Sequence, residues 1–168
     1  MKTYNASDLF DLKVNGNFPL NCEFVPKIPI PPILESAGIY MLFFDHQIIY
    51  IGIAENEPFL QRIKKQLSII TLRGKSVCFN DACKTIVRSS QVLPKEFSTA
   101  VEQNNAGFET SKNRVSFAEQ NWDVFSTLNL DDLSRFVISW VPKKECFDEQ
   151  LEEIKSQWIE TLKPNCNK

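Results

Sequence analysis

The sequence predicts an α+β domain: a small central antiparallel β-sheet flanked by helices, with a helical insertion between the first core helix and the third strand. Three observations predict it. Ile39 to Phe44 and Ile48 to Ala54 are two runs of β-branched, aromatic and large aliphatic residues parted by a polar break. Phe59, Leu60, Ile63, Leu67 and Ile70 then recur at helical spacing. Arg135 to Val141 reads as a further strand, followed by a helical stripe of Leu151, Ile154, Trp158 and Leu162.

The chain has 168 residues, enough for one domain with its own core, and its 43% apolar and 24% charged residues are those of a globular protein. With no apolar run of about eighteen residues and no signal-peptide core after Met1, the expectation is a cytoplasmic chain with no membrane partner. Five cysteines, Cys22, Cys78, Cys83, Cys146 and Cys166, are scattered without a CxxC pair, so free thiols are expected instead of disulfides or a zinc site.

Residues 1–36 read as a leader. Asn5 to Phe10 is consistent with a short capped helix, Asn15-Gly16-Asn17 with a turn, and Pro26 to Pro32 with an extended surface crossing, because proline fixes φ and lacks a donor. Residues 37–67 hold the hairpin and its following helix. Taking Asp45-His46-Gln47 as the loop pairs Phe44 with Ile48. Tyr40, Tyr50 and Gly52 then share one face, and Ile39, Met41, Phe43, Ile49, Ile51 and Ile53 form an apolar face opposite. On this reasoning a two-residue loop would separate the tyrosines.

The hairpin carries two tripeptides, Gly38-Ile39-Tyr40 and Tyr50-Ile51-Gly52, nine residues apart. On these the sequence resembles the GIY-YIG family, metal-dependent nucleases whose signature tripeptides stand on neighbouring strands. The likeness continues into the following helix, entered through Asn56 and Pro58, where Arg62 stands in the place of the family's helix arginine. One turn later, where family members often have histidine or tyrosine, the residue is Gln66, which cannot act as a base. After the last helix comes Pro164-Asn165-Cys166-Asn167, similar to the family's closing P-x-x-N.

The resemblance implies a DNA endonuclease that hydrolyses phosphodiester bonds with one divalent cation, Mg²⁺ or Mn²⁺, of restriction or defence type. In that scheme Tyr40 takes part in proton transfer and Tyr50 positions water or phosphate. Arg62 offers the scissile phosphate a fork of donors, a carboxylate on the last helix holds the metal, and Asn167 stands at the family's terminal asparagine. A tyrosine with a pKa of about 10 is a poor base unless a cation lies near it. The position of the family's glutamate reads Lys155, a charge reversal. Glu152, three residues earlier on the same helix face, is the first candidate for the catalytic metal ligand; Glu153 and Glu119 are the others. Loss of that carboxylate gives the alternative reading, a GIY-YIG-derived module that binds nucleic acid or protein without cutting.

Residues 68–132 read as an insertion within the domain. Asn80 to Ser90 and Phe117 to Phe125 are its expected helices, the latter entered through Asn113-Arg114-Val115, and Asn104 to Gly107 is a loop. Thr71 to Ser76 contains a GKS but lacks the upstream glycine of a nucleotide-binding loop. Although the formal charge is −2, the stretch from Arg62 to Lys95 has eight basic residues against one acid. Lys64, Lys65, Arg73, Lys75, Lys84 and Arg88 are the expected DNA-backbone contacts within it. Residues 133–168 supply the third strand and a last helix beginning near Asp148. His46 is expected in an exposed turn, and the three tryptophans in the core.

Overall fold

The structure, a computed structural model, describes residues 1–14, 22–55, 57–71, 113–114, 116–118, 120–125, 127–146 and 150–167. In chain order these hold β1 (Lys2–Asn5), α1 (Ala6–Leu9), β2 (Phe10–Val14), β3 (Cys22–Pro26), a 3₁₀ turn (Pro32–Glu35), β4 (Gly38–Phe44), β5 (Gln47–Ala54) and α2 (Phe59–Thr71). They continue with α3 (Trp122–Phe125), α4 (Leu130–Leu133), β6 (Phe136–Pro142), a 3₁₀ turn (Lys143–Glu145) and α5 (Leu151–Leu162). Residues 113, 114, 116–118 and 120 are helical as well. The expected turn at Asn15 to Asn17, the helix at Asn80 to Ser90, the loop at Asn104 to Gly107 and the Asn56 cap lie outside the described residues, whereas the last helix starts at Leu151 with an extended Gln150 as its N-cap, three residues after the expected Asp148.

Four strands form an antiparallel sheet in the order β1-β6-β4-β5, and β2 and β3 form a separate antiparallel pair. This is the α+β class expected. The sheet is covered on both faces because its strands alternate between two apolar sets. Tyr40, Leu42, Phe44 and Tyr50 face a large core with Phe59, Leu60, Ile63 and Leu67 of α2. Ile39, Met41 and Ile51 face a smaller one with Leu151, Ile154, Trp158 and Ile159 of α5. Ile159 therefore takes the place expected of Leu162, whose side chain lies exposed.

The leader does more than cross the surface. β1 joins the sheet beside β6, and Ala6, Leu9, Phe10 and Phe24 are buried in the large core. The Lys27 side chain donates to the Ser7 carbonyl at 2.7 Å, tying the end of β3 to α1. α4 is a short helix held by a reciprocal cap: the Asn129 carboxamide accepts from Asp131 and Asp132 N–H, and the Asp132 carboxylate accepts from Asn129 N–H.

The hairpin loop has two residues, not three. Asp45 and His46 both have positive φ, 47° and 66°, the type I′ geometry whose twist matches antiparallel strands. Arg135 holds that turn through its Nε and Nη2, which donate to the Asp45 carboxylate at 2.8 and 2.5 Å. Phe44 consequently pairs with Gln47 and Phe43 with Ile48. The register then shifts at a bulge, so that Leu42 pairs with Tyr50 and Tyr40 with Gly52. One extra residue in β5 reverses the parity that the shorter loop would have imposed. Ile49 is turned into the large core and Ile48 packs on the α5 side, the reverse of the expected assignment of Ile49.

Candidate functional site

The two tyrosines meet because the bulge restores their register. Their ring centroids stand 6.1 Å apart, with Phe59 edge-on to Tyr40 at 5.6 Å. Gly52 lies directly across from Tyr40, and a Cβ there would run into the Tyr40 hydroxyl and ring. The glycine is thus the floor on which the Tyr40 ring lies. Gly38 does the same for the Trp140 indole, with the Val141 carbonyl also against it.

Tyr40 is fully buried and Tyr50 is 7% exposed. Burial, reinforced by the neighbouring Tyr50, pushes the Tyr40 phenol well above its ordinary value, although the Arg62 and Arg114 charges pull the other way. At neutral pH Tyr40 is a neutral phenol. Its hydroxyl and the Arg62 Nε are both buried and meet no hydrogen-bond partner in good geometry among the described residues.

Arg62 projects from α2 at the edge of this group, its side chain 39% exposed. The Arg62 Nη1 donates to Glu57 Oε1 at 3.0 Å, and the Lys65 Nζ donates to Glu57 Oε2 at 2.6 Å. Burial raises the Glu57 carboxyl, but the hydrogen bonds and charges of Lys65 and Arg62 outweigh it and hold the group below its usual range. Glu57 belongs to the segment between β5 and α2. No sequence reading singled it out, since an acid in a polar loop is ordinarily solvated.

Gln66, one turn beyond Arg62, is buried, and its Oε1 accepts from Arg114 Nη1 at 3.2 Å. The Arg114 guanidinium lies 5.1 Å from the Tyr50 ring centroid, in cation–π range. A buried arginine from the insertion therefore stacks on the second signature tyrosine. The sequence offered no signal for it, because Asn113-Arg114 reads only as a helix entry.

Asn167 lies at the free edge of β5. Its Oδ1 accepts from Ile51 N–H at 2.7 Å and its Nδ2 donates to the Ile51 carbonyl at 2.9 Å, while Cys166 N–H donates to the Ile49 carbonyl at 2.7 Å. Asn113 Nδ2 reaches the Asn167 carbonyl at 2.8 Å. The carboxamide is given wholly to the backbone of the second tripeptide, which makes Asn167 a positioning residue in this structure.

Glu152 is not brought to the tyrosines. It stands on α5, which packs on the sheet face opposite Tyr40; its side chain is 61% exposed and it accepts from Lys155 Nζ at 2.8 Å. Glu153 is exposed on the same helix, and Glu119 lies outside the described residues. A hard cation requires several converging oxygens. The carboxylate first expected to hold Mg²⁺ or Mn²⁺ is across the sheet and paired with an ammonium, so it does not fit a metal beside Tyr40 and Arg62, and among the described residues no group of three or more His, Cys, Asp or Glu side chains could hold one.

Of the expected DNA contacts, Lys64 and Lys65 are described, and each is paired: Lys64 Nζ with Glu23 at 3.0 Å and Lys65 with Glu57. Arg73, Lys75, Lys84 and Arg88 lie outside the described residues. Among the described residues no helix is long and apolar enough to cross a membrane. Comparisons of the chain with protein-family models, curated proteins and solved structures find no match.

Proposed function

We propose that this chain is a GIY-YIG-derived module that binds nucleic acid, DNA being the partner the sequence resemblance implies, through a phosphate seated at Arg62 without cutting it. The observation that carries the reading is the half-exposed Arg62 guanidinium at the edge of the Tyr40 and Tyr50 pair. Such a fork of donors suits two phosphate oxygens. Cleavage would need proton transfer at a water and a metal-holding carboxylate. Tyr40 is sealed and neutral, and Glu152 stands across the sheet bound to Lys155.

The second reading is the metal-dependent DNA endonuclease. It is favoured by the packing of Tyr40 against Tyr50 with Arg62 alongside, the grouping the resemblance implies. One pair of measurements separates the two. Duplex DNA is titrated into the full chain, and the same DNA is incubated with Mg²⁺ or Mn²⁺. Salt-sensitive binding that Arg62→Ala weakens about tenfold, with the DNA left intact, is the expected result. Nicking of the DNA by the wild-type chain sinks the binding-only reading in favour of the endonuclease.

A further inference from the structure

The carboxylate of Glu57 bridges two cationic side chains of α2, Arg62 and Lys65. Its two oxygens are held separately, Oε1 by Arg62 Nη1 at 3.0 Å and Oε2 by Lys65 Nζ at 2.6 Å. Arg62 and Lys65 are three positions apart on α2, hence neighbours on one flank of the helix. A planar two-oxygen anion bridging two cations is the arrangement a phosphodiester presents to the same pair. The side chain that fills it stands five residues before Arg62, close to the helix entry, where Arg62 N–H donates to the Pro58 carbonyl at 3.1 Å. Such a short tether keeps the carboxylate at high effective concentration.

The geometry points to a self-occupied anion site: Glu57 acts as an internal stand-in for phosphate at Arg62 and Lys65, and a nucleic-acid phosphodiester must displace it to bind. This rests on the reading of Arg62 as the phosphate-binding residue. Displacement is within reach because all three side chains are partly exposed, at 39%, 50% and 24% for Arg62, Lys65 and Glu57. Ion pairs so placed are weak and screened. A single mobile anion would gain little over the tethered carboxylate, whereas a strand contributing several phosphates at once would prevail. The device thus selects polyanions over free phosphate.

The test uses the full chain and a fluorescein-labelled DNA duplex, followed by anisotropy across a salt series, with folding checked by circular dichroism. Glu57→Gln keeps the size and removes the competing charge; Glu55→Gln removes the same charge from a carboxylate that pairs with Lys143 instead. Glu57→Gln is expected to tighten binding about two- to fivefold, the range of an exposed ion pair, Glu55→Gln much less, and Arg62→Ala to abolish the gain. Equal affinity of wild type and Glu57→Gln, with Arg62→Ala still weakening binding, overturns the stand-in role and leaves the phosphate reading intact. Equal tightening by both glutamine variants overturns it too, as a plain effect of net charge. If Arg62→Ala leaves the affinity unchanged in both backgrounds, the phosphate reading itself falls.

Discussion

Asn167 pairs with Ile51 as a neighbouring strand would: carboxamide oxygen to the N–H, carboxamide nitrogen to the carbonyl, at 2.7 and 2.9 Å. β5 is the sheet's outer strand, and unpaired edge groups under a covering tail are costly. Asn167→Ala strands both groups, and a loss of roughly 1–3 kcal/mol for each group left unsatisfied is expected, read from urea unfolding. Asn167→Asp keeps the acceptor and loses the donor, so its loss should be smaller than that of alanine only if the Ile51 N–H bond carries most of the effect.

Gly52 and Tyr40 form a second exclusive pair, since any side chain at Gly52 enters the Tyr40 ring. Gly52→Ala is expected to destabilise the fold by about 1–3 kcal/mol, the usual cost of overpacking. In a Tyr40→Ala background the added methyl has space, so the two losses should fall short of additivity in a double-mutant cycle. Strict additivity would show that the ring is not what excludes the methyl.

Alkaline stability gives a test of burial. Burial raises the Cys166 thiol from an ordinary 9.0 to about 12, against a smaller pull from Arg114, and raises the Tyr40 phenol as well. In the unfolded chain the thiol loses its proton above pH about 9, while the folded chain keeps it until about 12. The folded state then binds more protons, so stability falls as pH rises through that window, by at most about 1.4 kcal/mol per pH unit for one group. Cys166→Ala should flatten the limb between pH 9 and 10, and Tyr40→Phe the steeper part above pH about 10. Unfolding midpoints across this range, with unchanged slopes in both variants, would contradict the burial.

The shared face of Tyr40 and Tyr50 was legible, but for the wrong reason. Apolar runs and the glycines mark the two strands, yet the loop length is set by Asp45 and His46 accepting positive φ, helped by Arg135, which is distant in sequence and stands in the turn just before β6. The bulge that corrects the register leaves no trace in the pattern, because positions 48 and 49 are both isoleucine. The α2 stripe was legible from local spacing alone. The leader's contribution was not: β1 is only four residues long and pairs with β6 at the far end of the chain, a contact that no local signal encodes. Arg114 was equally hidden, since its burial depends on Gln66 and Tyr50, which local sequence cannot place beside it.

Glu152 and Lys155 carry the last prediction. Their contact is an i,i+3 pair on an exposed helix flank, worth little to stability. Because α5 packs on Ile39, Met41 and Ile51, a change at Glu152 leaves the tyrosine face untouched. Glu152→Gln is therefore expected to alter duplex affinity less than about twofold, against about tenfold for Arg62→Ala, which should also lower the salt slope by about 0.9 through loss of one phosphate contact. Lys155→Glu restores the acid at the position where the resemblance expects one, but on the same far helix. It should confer no cleavage with Mg²⁺ or Mn²⁺ in a plasmid-nicking assay. Were Lys155→Glu to nick DNA, or Glu152→Gln to abolish a wild-type cutting activity, α5 would have to reach the bound phosphate, and the binding-only reading would give way to the endonuclease.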